Sequence, residues 1–140
     1  MKLNLMVRQQ NKAATKPKVN RFVYWAPRIL SILFLLFLAM FSLDIFDAQY
    51  DFWGTVLGLF MHNIPVFVLL IVLIISWKYE IVGGIVFILA GLAYICMTIQ
   101  RVEWHIALSW SMTIAGPAFI IGLLFLINWY QKKKISKKRK

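Results

Sequence analysis

Ile64-Pro65-Val66-Phe67-Val68-Leu69-Leu70-Ile71-Val72-Leu73-Ile74-Ile75 holds no charged or polar side chain, and Pro65 is its one interruption as a helix. A helix of a soluble bundle shows a polar face at helical spacing. This stretch is apolar all round, so its consistent solvent is lipid. Extended outward it runs from Thr55 to Trp77, which is long enough to cross a hydrocarbon core of about 30 Å at 1.5 Å per residue. The rest of the chain repeats the pattern. Spans are expected at 28–46, 55–77, 81–99 and 106–130, separated by short turns. The 140 residues are 61% hydrophobic with a mean hydropathy of +0.75, above the roughly 45–50% apolar content of soluble domains. The fold class expected is therefore all-α: one small domain of four transmembrane helices in a compact up-down bundle.

Charge placement orients the bundle. Of the 16 Lys and Arg residues, only Arg101 falls on the side of the first and third turns; of the five acids, only Glu80 falls on the opposite side. By the positive-inside rule both termini are expected in the cytoplasm. The outer loops collect Asp44, Asp47, Asp51 and Glu103. Trp and Tyr residues favour the headgroup zone and agree with this placement. Tyr24, Trp25, Trp77, Tyr79, Trp129 and Tyr130 mark the inner boundary, and Tyr50, Trp53 and Trp104 the outer one.

Residues 1–27 read as a basic, disordered cytoplasmic tail and 131–140 as a second basic tail. The first apolar run is longer than a signal-peptide core and is followed by Asp44 and Asp47 in place of small residues, so it is expected to be retained. Lys132, Lys133, Lys134, Lys137, Lys138, Arg139 and Lys140 suggest contacts with anionic lipid, each basic residue near such a leaflet gaining about 1 kcal/mol. Nucleic acid is not an expected partner.

Small residues mark the expected helix-packing surfaces, since lipid offers no hydrophobic drive between helices and close backbone approach takes its place. In the fourth span Ala107, Ser111, Ala115, Ala118 and Gly122 share one face. Gly83, Gly84 and Gly91 lie in the third span, and Gly54 and Gly58 open the second. Such faces can serve the internal bundle, a homo-oligomer or a partner subunit. Pro65 and Pro117 each remove a helix hydrogen bond and are expected to kink their spans.

A candidate polar site is expected on the outer side, where Asp44, Asp47, His62, Asn63, Glu103 and His105 gather by topology. An imidazole with carboxylates nearby suits a divalent cation or a proton relay. The competing reading is that the acids follow from the charge bias and that His62 hydrogen-bonds a neighbouring helix. No ligand spacing of a known metal motif occurs, so no metal and no cofactor is expected. Cys96 is the single cysteine and forms no intrachain disulfide. No nucleophile elbow or phosphate loop is present, and a self-contained enzyme is not expected.

Several stretches resemble an uncharacterised family of small four-span prokaryotic membrane proteins: Tyr24-Trp25-Ala26-Pro27-Arg28-Ile29-Leu30, Phe41-Ser42-Leu43-Asp44-Ile45-Phe46, His62-Asn63-Ile64-Pro65, Ser76-Trp77-Lys78-Tyr79-Glu80-Ile81-Val82-Gly83-Gly84, and Gly116-Pro117 through Asn128-Trp129. The likeness covers Phe22 to Trp129 and leaves out both tails. It implies a bacterial or archaeal plasma membrane and a four-helix bundle, and it points to Arg28, Asp44, His62, Pro65, Trp77 and Glu80 as positions of structural or functional weight. It implies no activity. The function expected is an accessory or structural membrane component acting through helix and lipid contacts. The alternative is a small transporter, channel subunit or relay using His62 with Asp44 or Asp47.

Overall fold

Asn20 opens the first helix by accepting the backbone amide of Phe22 at 3.1 Å, and α1 runs over Arg21–Met40. The computed structural model describes residues 20–137. Most of the expected N-terminal tail, together with Lys138, Arg139 and Lys140, lies outside the described residues. The helix begins at Arg21 and not at Arg28 because the Asn20 side chain satisfies one of the free amides of a helix start. A 3₁₀ segment, Phe41–Ala48, carries the chain past α1. Gln49, at φ 51°, then turns it back.

Asp51 caps α2, Phe52–His62, by accepting the amide of Gly54 at 3.0 Å. Helix α3, Ile64–Ser76, follows after the single residue Asn63 and is bent 46° from α2. The expected kink at Pro65 is thus a break at Asn63. Pro65 stands in the first turn of α3, where an amide would be unpaired anyway. The Asn63 side-chain amide donates to the Leu59 carbonyl at 2.9 Å and closes α2. Helix α4 covers Glu80–Ile99 and α5 covers Trp104–Lys137. Pro117 lies inside α5 without interrupting it, and Gly116 explains part of this, because a residue without Cβ escapes the clash with the following proline ring. Residues 131–137, expected as a tail, continue α5, with Lys134 and Lys137 in the last turn where cations complement the helix dipole.

Helix α5 packs along α4, α4 on α3, α3 on α1, and α1 on α5, closing a ring of four. Short connections make α3 and α4, and α4 and α5, antiparallel. The core is built by Phe34 and Leu35 of α1, Leu69 and Leu73 of α3, Phe87 of α4, and Ala118, Ile121 and Phe125 of α5. The Phe87 ring lies 6.2 Å from Phe125 and 6.4 Å from Phe34, so three aromatic rings fill the centre. Along the α4–α5 seam, a Cβ placed on Gly122 would stand 3.0 Å from the Gly84 carbonyl oxygen. Only glycine lets the two backbones come this close. Ala107, Ala115, Ala118 and Gly122 are buried and Ser111 is half-buried. Gly91 packs on Phe119, while Gly54 and Gly58 are covered by Tyr50, Asp51 and Ile45 of the preceding segment.

Three helical stretches are long and apolar enough to cross a membrane, and a fourth is added when the bent α2–α3 pair counts as one. That pair has 11 and 13 residues, about 36 Å of helix. Outward-facing residues on α1, α3, α4 and α5 are apolar: Leu33, Leu36, Ile71, Ile74, Leu89 and Leu123 are each more than half exposed. Helix α2 touches only the 3₁₀ segment and α3 among the described elements.

Candidate functional site

The polar residues expected to converge at the acidic end stay apart or on the surface. Asp44 and Asp47 are exposed on the 3₁₀ segment, and His62 is exposed at the last residue of α2. Asn63 spends its side chain on α2 itself. Glu103 and His105 pair with each other at 3.5 Å, both largely exposed. Among the described residues no three His, Cys, Asp or Glu side chains stand close enough to hold a metal ion.

Buried charge lies instead at the opposite, basic end. Arg28 sits two turns into α1 and is only 2% exposed. Its guanidinium donates to the Tyr24 carbonyl, to the Trp77 carbonyl at 3.3 Å and to Glu80 Oε1 at 3.2 Å. It also stacks 3.8 Å over the Tyr24 ring. The Trp77 carbonyl belongs to the C-terminal end of α3, where a cation is favoured. Glu80 is the first residue of α4, where an anion is favoured. The three-residue connection between α3 and α4 therefore presents a negative helix end and a carboxylate together to one guanidinium.

Helix α5 completes the cluster. Lys132 donates to the same Glu80 oxygen, and Asn128 Nδ2 approaches it at 3.5 Å. Asn128 is fully buried, and its Oδ1 has no partner. Lys132 lies 5.0 Å from the Tyr24 ring and keeps 40% of its side chain exposed. One carboxylate thus faces two cations, and the site retains a surplus positive charge. Arg28 and Glu80 contact four chain segments between them: α1, the end of α3, the start of α4 and α5. Ser31 and Ser76, both fully buried nearby, donate to carbonyls of their own helices and tie nothing across.

Chemically this arrangement is a clamp. Removal of two ions from water is costly, and mutual attraction offsets the cost only when the remaining hydrogen-bonding capacity is also met. Arg28 meets that condition with two backbone carbonyls in addition to Glu80. Arg28 and Glu80 were marked in the sequence only through the family resemblance; Asn128, Tyr24 and the role of Lys132 were not. The available signal was that Glu80 is the lone acid on the basic side, at the same depth as Arg28 and the start of the lysine run.

Fold and site together define an all-helical protein with three or four helices fit to cross a membrane, clamped at one end by a buried ion cluster. The chain belongs to the family described as a domain of unknown function (DUF7670), whose model matches residues 15–137. The match is wider than the resemblance read from the sequence, and it includes Lys132. No curated protein and no solved structure matches the chain.

Proposed function

We propose that this is an integral protein of a bacterial or archaeal plasma membrane. It crosses four times, has both termini in the cytoplasm, and serves as an accessory or structural component through its helix faces and its basic end. The observation that carries this reading is how the interior is filled. Its charged groups pair with one another at one end, and the Phe34, Phe87 and Phe125 rings occupy the centre. Such packing suits a scaffold better than a polar path from one side to the other.

The clamp supports the reading of four crossings. Arg28 reaches Trp77 and Glu80, so the α3–α4 connection lies level with the start of α1. The α2–α3 pair then travels the length of the bundle and does not return to the end where it began. Helix α5, 34 residues long, measures about 51 Å and exceeds a hydrocarbon core by enough to lift Lys133, Lys134 and Lys137 into the headgroups. The connections at 49–51, 77–79 and 100–103 leave little mass outside the helices for an enzyme's substrate pocket.

The test is the native mass of the protein purified in mild detergent from its own host, with all co-purifying chains identified. A stoichiometric partner, lost when helix-face residues are changed, is the expected result. A monomer without partner would overturn the accessory role.

A further inference from the structure

Above the core, toward the acidic end, the helices line a partly open cavity of about 300 Å³. Every helix contributes to its wall. Phe34 and Leu69 of the buried core form its floor, Ala90 lies along its side, and Phe41, His62 and Tyr94 line it from more exposed positions. The space exists because α2 leaves the bundle at the 46° bend and, among the described elements, packs only on α3 and the 3₁₀ segment. Its walls are almost wholly apolar. Water needs two to four polar partners, and this wall offers few beyond its apolar side chains, so a mainly apolar molecule with one or two polar atoms is its natural filling.

Two groups at this cavity can still form hydrogen bonds. Neither the His62 imidazole nor the Tyr94 hydroxyl has a partner among the described residues; only the Tyr94 backbone carbonyl is engaged, by Thr98. Apolar walls with a few orienting polar groups between the helices of a bundle are the usual form of a small-molecule site. Phe34, Phe41 and Tyr94 make the lining rich in aromatic side chains, which pack well on a flat ring. We propose that the cavity binds the head of a quinone-type membrane lipid, a planar ring whose carbonyl oxygens accept from His62 and Tyr94 while its apolar tail leaves past α2. This is a binding assignment, with no electron transfer implied. It rests on the membrane reading above, but not on the accessory role.

The experiment titrates the full chain in mild detergent with a para-benzoquinone carrying a short alkyl tail, following tryptophan fluorescence, and extracts native lipid from the same preparation. Saturable quenching is expected, weakened about tenfold by Tyr94→Phe and by His62→Leu, as fits the loss of one hydrogen bond. Ala90→Leu, which fills the cavity, should abolish it, and the native extract should contain quinone. Tyr94→Phe alters only the hydroxyl, so it remains informative if the other variants misfold. Unsaturable quenching, equal affinity in wild type and Tyr94→Phe, or an extract holding only glycerolipids would overturn the assignment. None of these outcomes depends on whether a protein partner co-purifies.

Discussion

Arg28 carries its charge into the protein with one acceptor on its own helix and two more at the end of α3 and the start of α4, and the energetics of that burial make a sharp test. Replacement by Met leaves Glu80 facing only Lys132, which is partly screened by its exposure. Breaking a buried pair from one side costs about 3–5 kcal/mol, while replacing both partners by apolar groups often restores much of it. Arg28→Met is therefore expected to lower stability by about 3 kcal/mol, and Arg28→Met combined with Glu80→Leu to recover most of that loss. Lys132→Ala should cost below about 1 kcal/mol, as for an exposed pair. Reversible unfolding in mixed micelles reads all three. A double variant as unstable as the sum of the single ones would show that the two residues do not act on each other.

At the scale of elements, the α4–α5 seam depends on backbone approach. Gly122→Leu would push a side chain against the Gly84 carbonyl and Ile88, where the nearest atoms are partly backbone and cannot swing aside. Overpacking of this kind costs about 1–3 kcal/mol. The adjacent Leu123 points outward and is 54% exposed. In lipid, Leu123→Ala removes apolar surface from an equally apolar solvent, so a change within about 0.5 kcal/mol is expected. The same unfolding assay separates these neighbours, and a Leu123→Ala loss as large as that of Gly122→Leu would place Leu123 in an interface. The α2–α3 pair follows a different rule: Asn63 ends one helix with its own side chain, Pro65 starts the next, and the resulting bend opens the cavity above the core.

For the whole molecule, the proposed orientation can be tested at the two ends of α4. With Cys96 replaced by Ser, single cysteines at Lys78→Cys and Glu103→Cys lie at opposite ends of α4. A membrane-impermeant maleimide is expected to label Glu103→Cys in intact cells, and Lys78→Cys only after permeabilisation. The reverse pattern would invert the proposed topology, and labelling of both from one side would remove α4 as a span.

Much of this architecture was legible along the chain because hydrophobicity and charge are summed over segments. The apolar run Ile64–Ile75 and the small residues Gly84, Ala118 and Gly122 announce a helix and a close contact without reference to any other segment. Helix limits were less legible, since Asn20, Asp51 and Asn63 set them through local side-chain hydrogen bonds. The tertiary structure alone decided which polar groups meet. The sequence drew attention to His62 with Asp44 and Asp47, grouped by side of the bundle. Packing left those residues separate and joined Arg28, Glu80, Asn128 and Lys132. Rotation of each helix about its axis selects which residues at one depth face inward, and that rotation is fixed only when the helices pack.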